Sequence, residues 1–222
     1  MSNEAATTRY PGYDVLAKRD TPSWDPVTRK VVDERLDTPL QPRFFDEAQW
    51  SVVVALCDCV VAQPAERESV PVAAMLDARL FENQGDGWRN ARMPHLRDAW
   101  RIGLAALDAE SRAAHVVAFA QLEQDRQTAL IDAMQRGVLQ DAAWQGMPPE
   151  LFFSERVLHD LYGEYYSHPA AWSEIGFGGP ANPRGYVRLN KNRRDPWEPV
   201  EAAPDSTAEQ RNRVSRENAR VR

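Results

Sequence analysis

Cysteine is nearly missing from this chain of 222 residues: there are two, Cys57 and Cys59, too few for a disulfide framework. Long apolar runs are missing as well. The longest, Val52 to Cys57, falls far short of the ~20 residues a membrane-spanning helix needs. The first thirty residues contain neither a twin arginine nor an apolar core, so no export address is read there. Strand-like alternation is scarce, and no fixed-period repeat is present. The phosphate-cradling pattern Gly-x-x-x-x-Gly-Lys-Ser/Thr is absent. Gly-x-Gly-x-x-Gly is not completed either, because Ala181 stands three residues after Gly176-Phe177-Gly178, and a helix rather than a strand is expected to precede those glycines. A net charge of −6 argues against nucleic-acid binding by the chain as a whole.

What is present is an ordinary globular balance, 43% apolar and 27% charged, enough for one domain or at most two. The dominant periodicity is helical. Asp46 followed by Gln49 forms a capping-box pattern. Trp50, Val53, Val54, Cys57, Val60 and Val61 then recur at helical spacing up to about Gln63. A second helix is expected from Pro71 through Leu80, a third from Pro94 with Leu96, Trp100, Gly103 and Leu107 on one side, and a fourth from Glu123 to Arg136 with Gly137 as its stop. A fifth begins at Pro149, carries Phe153, Val157, Leu161 and Tyr165, and ends before Pro169. The expected fold is all-α: a bundle of about five helices over residues 44–169, with an extended N-terminal arm and an irregular C-terminal segment.

Both flanks differ from the bundle. Residues 1–43 hold Pro11, Pro22, Pro26, Pro39 and Pro42 among Tyr10, Tyr13 and Trp24. They read as an extended arm with one short helix between Val27 and Leu36, lying against this domain or another chain. Residues 170–202 combine Gly176, Gly178 and Gly179 with Trp172, Ile175, Phe177 and Tyr186. Glycines let a backbone lie close to a neighbouring surface, and the aromatics serve either self-packing or a partner. Residues 203–222 are arginine-rich and poor in apolar residues, which reads as a flexible tail. From Arg184 onward there are ten basic and six acidic residues, so this region offers a grip for an acidic partner surface or a polyanion.

Self-sufficient chemistry is hard to find. On a helix, Cys57 and Cys59 would point about 200° apart, and no second Cys or His pair completes a zinc site. The four histidines, His95, His115, His159 and His168, are scattered. Glu155 and His159 share a helix face at i, i+4, so a free-standing helical enzyme or metal protein with a pocket around them is the alternative function. The Glu-x-x-His motif of di-iron bundles does not occur. No Ser–His–Asp order or nucleophile elbow is visible, although such sites can assemble only in the fold.

Several blocks, in order, resemble the gluconate 2-dehydrogenase subunit 3 family. They are Phe44-Phe45-Asp46-Glu47-Ala48-Gln49-Trp50; Trp100 to Asp108; Phe119-Ala120-Gln121-Leu122 with Gln127, Leu130 and Gly137; Phe152-Phe153; Tyr165-Tyr166-Ser167-His168-Pro169; and Trp172 with Ile175 to Pro180 and Tyr186. The resemblance implies an all-helical accessory subunit that carries no catalytic, cofactor-binding or metal-binding residues. Its implied partner is a catalytic flavoprotein of the glucose-methanol-choline type, which holds FAD and oxidises a sugar or glycoside. Some such complexes add a cytochrome or other electron acceptor. Small subunits of this kind often carry a twin-arginine signal. Without one, the expectation here is a cytoplasmic complex, or a periplasmic one if a partner subunit carries the address. The residues expected to grip the partner are Tyr10, Tyr13, Trp24, Trp172, Ile175, Phe177 and Tyr186.

Overall fold

A computed structural model describes residues 8–65, 67–185 and 193–221. Among them there are helices and no strand, as the periodicity predicts. The chain packs into two compact units. One comprises Thr38–Ala62 and Pro71–Tyr165; the other comprises Met1–Asp37, Gln63–Val70 and Tyr166–Arg222. Composition suggested contiguous stretches. Packing groups the N-terminal arm with the C-terminal third instead, because their apolar side chains bury one another.

The central unit holds four of the predicted helices and the start of the fifth. Helix α2 (Glu47–Val60) starts on the expected capping box: Asp46 Oδ1 accepts from Gln49 N–H at 2.8 Å, and Gln49 Oε1 accepts from Asp46 N–H at 3.4 Å. Helix α3 (Val72–Phe81) follows. Its buried Asp77 accepts from the backbone N–H groups of Arg43, Phe44 and Phe45 at 2.7, 3.0 and 2.9 Å. Those three amides enter α2 and have no helical partner of their own, so one carboxylate satisfies the whole turn. Helix α4 (Leu96–His115) is the long central element and packs against α2 and α5 (Gln124–Gln135). A chain of edge-to-face aromatic pairs runs Phe44, Phe45, Trp100, Phe152, Trp144, with centroids 4.9 to 6.4 Å apart.

The predicted fifth helix is α6 (Pro149–Phe152), a π-helical turn (Phe153–Leu158) and α7 (His159–Ser167) in succession. The π turn has no sequence signature. It widens the helix by one residue at the place where buried Arg156 pairs with Asp86 and Asp160.

In the terminal unit, α1 (Pro26–Leu36) is the short helix expected in the N-terminal arm, capped by Asp25 accepting from Thr28 N–H at 2.7 Å. Two further helices correct the reading of the C-terminal third. Residues 170–175, the start of the segment expected to be irregular, belong to α8 (Pro169–Ile175). Pro169 does stop α7, and it also supplies the first-turn residue of α8, where its missing N–H costs nothing. Residues 203–222, expected to be a flexible tail, contain α9 (Ala208–Asn218). Its start is a capping box between Thr207 and Gln210, a local signal that outweighs the polar composition once Asn218 is buried. Asn218 Nδ2 donates to Pro11 O and Val200 O, and its Oδ1 accepts from Val200 N–H at 2.7 Å.

Candidate partner-binding surface

The terminal unit is built around Tyr13, Val15, Trp24, Val32, Trp172 and Val221, with Tyr10 and Leu16 packed against them. Helix α8 ends at Gly176, whose φ of +73° is the left-handed conformation that favours glycine. Phe177 N–H then donates back to Trp172 O at 2.9 Å, and the Phe177 and Trp172 rings meet edge to face at 5.7 Å. That pairing is the hydrophobic contact of a Schellman-type helix stop. A side chain at Gly176 would collide with the Tyr10 ring. The glycines therefore serve close approach, as expected, and the surface approached lies within the chain itself.

The turn after α8 is braced from beneath. Tyr13 Oη donates to Phe177 O at 3.2 Å and accepts from Lys18 Nζ at 2.8 Å. Lys18 Nζ also donates to Gly178 O at 2.9 Å, and Arg184 donates to the same oxygen and to Ser23 O, both at 2.9 Å. Lys18 is fully buried. Burial, followed by the neighbouring Arg184 charge and opposed by Glu198, pushes its amine down to about 7. Burial likewise pushes the Tyr13 phenol up. Sequence reasoning singled out neither Lys18 nor the bracing role of Arg184, because a buried lysine has no local pattern that distinguishes it from a solvated one.

Of the seven residues expected to grip a partner, Tyr13, Trp24 and Trp172 are buried in this core and Tyr10 is half-buried against it. Self-packing takes these side chains, because the arm and α8 close on each other around them. Ile175 and Phe177 remain 45% and 38% exposed, side by side at the end of α8. Tyr186 lies outside the described residues.

The alternative pocket around Glu155 and His159 does not assemble. Glu155 Oε1 accepts from Asn90 Nδ2 at 2.8 Å and lines a shallow cleft with Asn90, Met93 and Arg156. His159 turns instead to Asp160, 3.0 Å away. Asp86, His159 and Asp160 stand close enough to share an ion. However, Arg79 lies 2.6 Å from Asp86 and 3.2 Å from Asp160, Arg156 lies 3.4 and 3.6 Å from them, and Trp100 Nε1 donates to Asp160 at 2.8 Å. A divalent cation would have to displace two guanidiniums, so this geometry supports a structural ion-pair network. Cys57 is buried and its thiol is pushed up by that burial, while half-buried Cys59 stands 3.2 Å from Gln127 Oε1. Neither has the electropositive surroundings of a reactive thiolate.

No curated protein and no solved structure matches the chain. A family model described as gluconate 2-dehydrogenase subunit 3 matches residues 47–179, from the start of α2 through the braced turn. The aromatic chain through Trp100 and Phe152, the stop at Gly137 and the glycine turn after α8 all fall within that span. The protein belongs to the gluconate 2-dehydrogenase subunit 3 family.

Proposed function

We propose that this chain is the non-catalytic small subunit of an FAD-dependent sugar or glycoside dehydrogenase, and that it binds and stabilises a catalytic flavoprotein of the glucose-methanol-choline type. FAD belongs to that partner, and a cytochrome or another acceptor takes the electrons. The complex works in the cytoplasm, or in the periplasm where the partner carries the export signal. The observation that carries the reading is Phe177. It is an aromatic left partly exposed, beside exposed Ile175, on a turn whose carbonyls are held by Tyr13, Lys18 and Arg184, in a family of dehydrogenase subunits. A pre-ordered apolar anchor loses little entropy on binding. An anchor of this kind typically contributes about 2 kcal/mol or more to association, and binding to the folded flavoprotein would stabilise it by mass action.

The test is co-expression of the chain with its candidate flavoprotein, followed by capture through a tag on the chain. Ile175→Asp and Phe177→Asp are expected to abolish co-capture while leaving the helical circular dichroism of the isolated chain unchanged; Ile175→Asp also leaves its melting unchanged, whereas Phe177→Asp lowers it through the lost ring contact with Trp172. Two results refute the reading: capture undiminished in the double variant, or an isolated chain that itself oxidises a sugar or carries stoichiometric flavin.

A further inference from the structure

Beyond the apolar edge at Ile175 and Phe177, the terminal unit carries a cleft of 530 Å³ between α9 and the segment before it. Arg194, Glu198, Arg213, Arg216, Glu217 and Arg220 line it. Arg213, Arg216 and Arg220 are exposed and form one stripe along the cleft: Arg213 and Arg216 stand one turn apart on α9, and Arg220 follows in the turn just past its end. The two glutamates are engaged: Glu217 with Arg194 at 2.9 Å, and Glu198 with Asp195 N–H at 2.6 Å. The three stripe guanidiniums have no ion pair among the described residues. Like charges gathered along one cleft repel one another, so a ligand that relieves them is favoured. The cleft lies beyond residues 47–179, and family membership does not account for it.

We infer that this arginine cleft docks a short acidic peptide segment, one rich in Asp and Glu, on the partner subunit. The identity of that partner rests on the proposed function above; the cleft's chemistry does not. Guanidinium forks match carboxylates bidentately. The three positions span roughly 10 Å, most of it along α9 at about 1.5 Å per residue and the remainder through the turn at Ala219. Two or three acidic side chains of an extended segment repeat on one side every ~6.7 Å, which fits that length. A nucleic acid is the poorer occupant, because it needs a longer basic track and the chain carries −6 overall.

The experiment titrates the full chain into fluorescein-labelled hexaglutamate and follows anisotropy at two salt concentrations. Saturable binding that weakens with salt is expected. The triple variant Arg213→Glu, Arg216→Glu, Arg220→Glu should bind at least tenfold more weakly. A control of the same net charge, Arg92→Glu, Arg126→Glu, Arg136→Glu, on exposed positions of the central unit, should stay within twofold of wild type. A second triple with glutamine at the three stripe positions should also lose binding, which separates lost recognition from repulsion. The inference falls if both glutamate triples weaken binding equally, if no saturable binding occurs, or if a single-stranded oligonucleotide or inorganic tripolyphosphate binds more tightly than the peptide. Because this assay uses no flavoprotein, its failure with co-capture intact overturns the cleft alone. Lost co-capture in the wild type with peptide binding intact overturns the subunit reading alone.

Discussion

Replacing Gly103 with alanine puts the packing of the central unit to a direct test. Gly103 lies in α4, and a Cβ there would stand closer than 3.0 Å to three carbons of the Phe152 ring. The ring has nowhere to go. It is fully buried, with Trp100 at 5.4 Å and Trp144 at 5.9 Å, both edge to face. In an unobstructed helix interior the change from glycine to alanine stabilises by about 1 kcal/mol. Overpacking a closed core costs about 1–3 kcal/mol, occasionally more. A ring wedged on two sides belongs at the upper end, so Gly103→Ala should destabilise by about 2 kcal/mol net. Phe152→Ala alone should cost about 3–5 kcal/mol through its cavity. In that background the clash is gone, and Gly103→Ala should stabilise by about 1 kcal/mol. The sign reverses, and the coupling energy is about 3 kcal/mol, at the top of the range for residues in contact. Urea unfolding of all four proteins, followed by tryptophan fluorescence, measures the cycle. Equal cost of Gly103→Ala in both backgrounds would refute the assignment of this glycine to close approach.

Asp77→Asn keeps one acceptor oxygen and turns an NH2 toward a backbone N–H, so it should cost about 2–3 kcal/mol, the value of a charge-assisted bond; urea melts that match wild type would show that the three amides of residues 43–45 are satisfied otherwise. Val116 closes α4 at φ +67°, a conformation unfavourable for a β-branched residue, while 87% exposed. Val116→Gly should therefore raise stability by about 1 kcal/mol, and a lower melting temperature in calorimetry would contradict this. The pH dependence of folding follows from Lys18 and His168. Folding lowers the Lys18 value from 10.5 to about 7, so the unfolded chain binds more protons between those limits and stability rises with pH across them. Burial lowers His168 below its ordinary 6.5, and its Nδ1 accepts from Ala170 N–H at 3.2 Å, so stability also falls as the pH drops through that residue's folded value. Denaturant midpoints should climb from pH 7 to 9. Lys18→Met should flatten that slope, and an unchanged slope in the variant would remove Lys18 as its cause.

The all-helical class and four helix positions of the central unit were legible because they rest on short-range physics. A capping box at Asp46 and Gln49, apolar spacing along α4 and a glycine stop at Gly137 act within a few residues. The same physics was present at Thr207 and Gln210, but composition averaged over twenty residues concealed it. The π turn at Phe153–Leu158 coincides with the pairing of Arg156 to Asp86 and Asp160, and no local pattern encodes it. Among the partner candidates, the aromatic residues could be picked out from the sequence, but their exposure could not. Whether Trp24 or Phe177 faces water depends on which distant surface closes over it, and burial is decided by contacts between Tyr13 and Trp172 that lie more than 150 residues apart. Residue types and their local spacing thus determined which helices form and where most of them stop. Only tertiary packing decided that the two ends of the chain share a core, that a buried lysine braces a glycine turn, and that Ile175 and Phe177 are left outside. Hydrophobic burial is non-directional and indifferent to sequence separation, so these assignments cannot be read one segment at a time.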